Sequence, residues 1–223
     1  MAHVYKDIKR PDPKIVEAFK NIGAATIHEA YGRRGAVDMA IKPIKPGLRI
    51  CGPAVTVQCH PADNLMLHKA IQVCSPGDII VATVGGHYEA GYWGALLTTS
   101  AIANGVGGLA LDGCIRDVAE NRELGFPIFC RGFCIKGTTK AVLGLVNHTI
   151  VFGGIVVNPG DLIVGDDDGI VVVERSKCEE VLAKSLKRIE DEKEKSKKLS
   201  QGIPSVVVNR FDKLFETLGL IEE

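Results

Sequence analysis

The spacing of apolar and polar residues changes near residue 140. Up to that point, short helical stripes alternate with short apolar runs. Residues 13–20 carry Ile15, Val16 and Phe19 on one face of a predicted helix. Thr26 precedes Ile27-His28-Glu29-Ala30-Tyr31, a second short helix closed by Gly32. The Thr26–Glu29 spacing fits a capping box, in which hydroxyl and carboxylate each satisfy a free backbone amide. A role in a site is the other reading of Glu29. Residues 41–50 are proline-rich and extended, and Gly52 to Cys59 alternates as a strand does. A turn at 60–64 then offers Asp63 or Asn64 as cap for a helix from Leu65 to Val73.

Ser75-Pro76-Gly77-Asp78 turns the chain into a buried strand, Ile79 to Val84, followed by a glycine bend at Gly85 and Gly86. An apolar helix of small residues is expected from Leu96 to Asn104, then a second buried strand from Gly108 to Leu111 ending in a tight turn at Asp112-Gly113. Arg116 and Asp117 fall at the start of the next helix, which Glu120 to Gly125 closes, and Pro127 to Cys130 gives another strand.

Past residue 140 the runs Thr149 to Val157, Asp161 to Gly165 and Gly169 to Glu174 are short and β-rich, separated by Asn158-Pro159-Gly160 and Asp166-Asp167-Asp168-Gly169. Ser176 to Ser200 reads as one long charged helix with a stripe of Leu182, Leu186 and Ile189. No apolar residue occurs from Glu190 to Lys198, so that half is a solvated extension or an arm against a neighbouring subunit. Residues 203–219 form an apolar tail that needs a docking surface. The pattern predicts a layered α/β domain with a mixed sheet or partial barrel over residues 1–175, and a helical extension over 176–223.

Composition narrows the function classes. Lys+Arg 27 balance Asp+Glu 27, so no general electrostatic pull toward nucleic acid or an anionic membrane is expected. Aromatic content of 5% argues against a stacking platform for single strands. No run approaches the roughly 20 apolar residues that span a bilayer, and the N-terminus lacks a signal-peptide pattern. The seven cysteines include no Cys-x-x-Cys pair, which points to a reducing, cytoplasmic setting.

The candidate chemistry centres on residues 77–132. Arg116 offers a planar fork for a carboxylate and an enolate oxygen. Asp117 offers a hard oxygen of the kind Mg²⁺ prefers. The glycines Gly85, Gly86, Gly91 and Gly94 match no nucleotide fingerprint. They serve either a small anion or tight packing. The six histidines show no zinc spacing. His68 reads as a boundary residue, while His87 lies in the bend, within reach of a ligand. No Gly-x-Ser-x-Gly elbow exists, and nothing marks Lys69 or Lys136 as a desolvated amine.

Four segments together resemble one family: Glu29 to Val37, Asp63 to Met66, Tyr92 to Leu97, and Asp112 to Asp117. In this order they resemble the class II pyruvate aldolases acting on 4-hydroxy-4-methyl-2-oxoglutarate and 4-carboxy-4-hydroxy-2-oxoadipate, relatives of the RraA regulator of ribonuclease E. The resemblance spans roughly residues 15–195 of the chain. It implies a layered α/β/α, swivelling-domain-like fold, assembled as trimers or hexamers with sites at subunit interfaces. It further implies that Asp117 ligates Mg²⁺ (or Mn²⁺) directly or through water. Arg116 would stabilise the pyruvate enolate, and backbone at Gly94, Ala95, Leu96 and Leu97 would shape the carboxylate site, with the amides of Leu96 and Leu97 gripping the group. Glu29 would help hold a water or the metal's hydration shell. An acid on a neighbour's C-terminal helix would complete the site, with Glu192 favoured and Glu190 and Glu194 close behind. The family often has an acid where this chain has Ala95, which bears on activity and substrate choice. Oxaloacetate decarboxylation would share the enolate. A non-catalytic inhibitor of an RNA-processing enzyme is the main alternative, and a methyltransferase ranks low because no nucleotide-type loop follows the first strand.

Overall fold

A computed structural model describes residues 2–222. In chain order the elements are β1 (His3–Val4), α1 (Pro13–Phe19), α2 (Ala24–Ala30), β2 (Lys42–Pro43), β3 (Ile50–Gln58), α3 (Leu65–Val73), β4 (Ile79–Thr83), β5 (Gly91–Trp93), α4 (Ala95–Ala103), β6 (Gly108–Ile115), α5 (Val118–Leu124) and β7 (Ile128–Phe133). Then come β8 (Leu145–Val146), β9 (Ile150–Phe152), β10 (Ile155–Val157), β11 (Leu162–Asp166), β12 (Gly169–Val173), α6 (Cys178–Ser200), α7 (Ser205–Asn209) and α8 (Asp212–Leu218).

The sheet is mixed. β3, β4, β6 and β7 run parallel in that order, which matches their near-continuous apolar sequences. β8 lies antiparallel along the end of β3, and β11 lies antiparallel along its start, so one long strand serves two layers. β12 extends β11, and β9 and β10 form a separate hairpin. One core packs α3 and α4 onto one sheet face through Leu67, Ile80, Trp93 and Leu109. A second lies under the β9–β10 hairpin through Phe129, Phe152 and Ile163. A third joins α1, α2 and α6 to β11 and β12 through Phe19, Ile27, Val164 and Val181. The fold is therefore the layered α/β arrangement with a mixed sheet and a long C-terminal helix. Among the described residues no helix is long and apolar enough to cross a membrane.

Several local expectations need correction. α2 begins at Ala24, not at Thr26, and the capping box does not form; instead Asp166 Oδ2 accepts from Ala24 N at 2.8 Å. A cap from another element replaces the local one. Asp63 caps the start of α3, accepting from Leu65 N at 2.8 Å. Asp112-Gly113 is not a turn, because β6 continues to Ile115 with Thr83 opposite Asp112 and Gly132 opposite Cys114. Between the glycine bend and α4 lies β5, paired with the end of β6. On α6 the packed face is Cys178, Val181 and Ser185, with Leu182 and Ile189 at its edge, and Leu186 points outward. The tail folds as α7 and α8, which bury none of their residues on this chain.

Candidate active site

The site is built where β6 ends. Ile115 is fully buried, and Arg116 N donates to Trp93 O at 2.8 Å, which fixes the turn against β5. Asp117 then adopts a left-handed conformation, φ 54° and ψ 45°, as N-cap of α5. Such a conformation is strained for a non-glycine residue, though Asp tolerates it better than most, and it persists only when its surroundings fix it. Asn121, wholly buried on α5, supplies that restraint. Its Nδ2 donates to Arg116 O at 2.8 Å and to Asp117 O at 3.0 Å.

The two side chains fold back over the start of α4. Asp117 Oδ2 accepts from Ala95 N at 3.1 Å and lies 3.7 Å from Arg116 Nε. Gly94 is required here, because a Cβ on it would stand 2.4 Å from Asp117 Oδ2 and 3.3 Å from Arg116 Nε. Gly91, at the start of β5, is needed for backbone packing, since its Cβ would meet Cys134 O at 2.5 Å and Arg116 Cβ at 2.8 Å. These glycines permit close packing around charged side chains. The expected anion loop at Gly85 and Gly86 lies elsewhere, in a turn with positive φ at both residues.

A cavity of about 140 Å³ opens beside this turn, lined by Gly91, Gly94, Leu96, Leu97, Arg116 and Asp117, together with Asn64, His68, Tyr92, Thr138 and Lys140. Leu96 N–H is free of acceptors among the described residues, whereas Leu97 N–H donates to Gly94 O at 3.1 Å. Of the two amides expected to grip a carboxylate, Leu96 is thus the one available. Lys140 is a second cation in the wall, with no carboxylate partner among the described residues. Its loop is pinned by Asp63, whose Oδ2 accepts from Thr139 Oγ1, Ala141 N and Val142 N at 2.8, 2.6 and 3.1 Å. His68 also lines the cavity; burial, and then the Lys140 charge, hold its imidazole below the usual value and so favour the neutral ring. His87 hydrogen-bonds the Tyr92 hydroxyl at 2.9 Å and is not among the lining residues.

Lys140 and Thr138 are not legible as site residues in the sequence, because their loop has no periodicity. The buried Asp63 is the available signal, since a fully buried carboxylate must be collecting donors from some nearby segment.

Glu29 and Glu192 are not in that cavity. They meet each other on the outer layer, bridged by Arg188, which lies 3.9 Å from Glu29 Oε2 and 2.8 Å from Glu192 Oε1. Arg33 Nε adds a contact to Glu29 Oε1 at 3.2 Å. The chain thus holds two separate charge clusters, one with Arg116, Asp117 and Lys140, the other with Glu29, Arg188 and Glu192.

A divalent ion is compatible with the first cluster in a limited way. Asp117 is partly exposed and offers one hard carboxylate, and no group of three or more His, Cys, Asp or Glu side chains converges among the described residues. That set suits Mg²⁺, which keeps waters and takes one or two carboxylates plus substrate oxygens. It does not suit an all-protein cage.

The RraA-like family pattern, described as Aldolase/RraA, matches residues 14–172. The chain belongs to that family. A Halalkalibacterium halodurans protein named "Putative 4-hydroxy-4-methyl-2-oxoglutarate aldolase" is 35% identical over 191 residues, covering 86% of this chain and 91% of the relative. Another RraA-like structure, Streptomyces coelicolor RraAS2, is described as an unusual member of the RNase ES inhibitor RraA protein family. It superposes with a TM-score of 0.76 at 30% identity, covering 84% of this chain and 98% of that one. An uncharacterized Pseudomonas syringae protein superposes with a TM-score of 0.81 at 27% identity, covering 91% and 100%.

Proposed function

We propose that this RraA-like protein is a divalent-metal-dependent lyase that cleaves 4-hydroxy-2-oxo acids by a retro-aldol reaction. Its proposed substrates are 4-carboxy-4-hydroxy-2-oxoadipate, giving pyruvate and oxaloacetate, and 4-hydroxy-4-methyl-2-oxoglutarate, giving two pyruvates. The observation that carries the reading is the pairing of Arg116 and Asp117 over the free Leu96 amide, in a small cavity with a second cation.

Each residue has a defined task. Leu96 N–H and the Arg116 guanidinium bind the acceptor-only oxygens of a 2-oxo acid, with the planar fork of Arg116 spanning carboxylate and keto oxygen. As the C3–C4 bond breaks, its electron pair moves toward C2 and negative charge grows on the keto oxygen. Arg116 would meet that charge from a turn whose backbone is fixed by hydrogen bonds, and charge stabilisation of this kind contributes most to such a step. Lys140 keeps the cavity cationic for a substrate with more than one carboxylate. Asp117 would hold the Mg²⁺ or Mn²⁺, which when bound supplies Lewis-acid withdrawal of electron density from the keto acid. The 4-hydroxyl proton must leave to a base, and C3 of the resulting enolate must then take up a proton to give pyruvate. Among the described residues of one chain Asp117 is the only carboxylate lining the cavity, and Glu192, with Glu29, would reach it from a second copy in a trimer or hexamer.

The competing reading is a non-catalytic binder of an RNA-processing enzyme, as the description of the Streptomyces protein states for that protein. The favouring observation is Ala95, which puts a methyl group where the family often places an acid. Pyruvate release from 4-carboxy-4-hydroxy-2-oxoadipate and from oxaloacetate, with Mg²⁺ and again with EDTA, separates the two. Metal-dependent release from both supports the lyase. Release from neither removes it in favour of the binder.

A further inference from the structure

The turn that presents Arg116 and Asp117 is held by a buried chain of hydrogen bonds that begins at Trp93, the one tryptophan of the sequence. Trp93 is fully buried and stacked 6.2 Å from Phe126 at 8° between ring planes. Its Nε1–H donates to Thr98 Oγ1 at 2.7 Å. The Thr98 hydroxyl, also fully buried, donates in turn to Asn121 Oδ1. Asn121 Nδ2 then spends its two hydrogens on the carbonyls of Arg116 and Asp117.

The direction of this chain is fixed at every step. An indole nitrogen only donates, and a hydroxyl that accepts from it has one proton left to give. The carbonyls of Arg116 and Asp117 can only accept, so they orient the Asn121 amide with nitrogen toward the turn and oxygen toward Thr98, where the oxygen takes that proton. Were the amide reversed, its oxygen would face two carbonyls and its nitrogen would face the hydroxyl hydrogen. The strained φ of Asp117 would lose its restraint. Each polar hydrogen in the chain is thus committed within the protein, and Thr98 and Asn121 lie outside the cavity wall.

We infer that Thr98 and Asn121 are positioning residues: they set the pose of Arg116 and Asp117, and Thr98 acts by anchoring the Asn121 amide through its oxygen. The inference rests on the proposed role of Arg116 and Asp117, and its test separates the two. Thr98→Val keeps the shape and deletes the hydroxyl, whereas Thr98→Ser keeps the hydroxyl. With 4-carboxy-4-hydroxy-2-oxoadipate as substrate, Thr98→Val is expected to lose on the order of tenfold to a hundredfold in kcat. Mn²⁺ affinity, read by electron paramagnetic resonance without substrate, should weaken in parallel. Thr98→Ser should recover both. The single indole N–H resonance of Trp93 should shift and exchange faster in Thr98→Val than in Thr98→Ser. Asn121→Asp, similar in shape but unable to donate to the two carbonyls, should behave like Thr98→Val, and it carries the test if that variant melts early. A Thr98→Val protein that melts normally and matches wild type in kcat and Mn²⁺ affinity overturns the inference, as does a Thr98→Ser protein no better than Thr98→Val. A wild-type protein that neither binds Mn²⁺ nor releases pyruvate instead overturns the reading of the site itself, and this inference with it.

Discussion

The two charge clusters of this chain are built in opposite ways. Around Arg116 and Asp117 the backbone is fixed by Trp93 O and by both hydrogens of Asn121, the Ala95 amide holds the Asp117 carboxylate, and Gly94 makes room for the side chains. Around Glu29, Arg188 and Glu192 the groups are long side chains on two helices, meeting by ion pairs that are partly solvent-exposed. Ion pairs of that kind contribute little to stability and hold geometry loosely. The first cluster springs from a backbone that is already fixed. The second is held by side-chain ion pairs alone.

Arg116→Lys has the largest expected effect. A point charge cannot reproduce the fork, and turnover should drop by roughly a thousandfold, in line with loss of a preorganised oxyanion donor, with little change in melting temperature. Near-normal turnover would falsify the assignment of Arg116 to the developing charge. Gly94→Ala comes next. Its backbone φ of −140° suits alanine, so the fold should survive. The new methyl must displace the Asp117 carboxylate, and activity should fall on the order of a hundredfold. A variant as active as wild type means the Asp117 pose does not matter.

Asp63→Asn tests how the loop carrying Lys140 is held. Burial alone would raise the Asp63 carboxyl, but hydrogen bonds from Ala141, Leu65, Thr139 and Val142 outweigh it and hold the group below its ordinary value near 3.8. The folded state therefore favours the ionised form. That stabilisation is complete above the ordinary value and fades as pH falls through the lower folded one. Asp63→Asn should cost about 2 kcal/mol at neutral pH. It should also flatten the loss of melting temperature that wild type shows on acidification below about pH 4. Identical acid profiles for the two proteins would remove Asp63 from this role. The smallest effect is expected at Leu186, which is 52% exposed. Leu186→Lys should change stability by less than about 0.5 kcal/mol, and a large drop would show that this face of α6 is covered in solution.

The contrast also explains what could be read in the sequence. The parallel core strands stand out because strands buried on both faces are continuously apolar, as in Ile79 to Thr83. The Arg116–Asp117 pair is visible as a charged break after such a strand. Features that depend on distant partners are not visible. Asp166 displaces Thr26 as the cap of α2, β5 is only three residues long, and the apparent turn at Asp112-Gly113 stays in the sheet. There Asp112 is held by Arg131 and by the Gly153 amide. Trp93, Thr98 and Asn121 are spread over three elements with no shared period. Glu29 and Glu192 are legible as acids of interest, but only the three-dimensional arrangement shows that they sit together, with Arg188 between them.

We propose that these two clusters form one site between copies of the chain. Arg116→Ala and Glu192→Gln should each be impaired alone, because each removes half of every site. Co-expressed and purified together, they should regain pyruvate release well above the average of the separate variants, because some interfaces then combine an intact Arg116 with an intact Glu192. Recovery of that kind is the expected result. A mixture no more active than that average, or a Glu192→Gln protein with full activity by itself, would contradict the shared site.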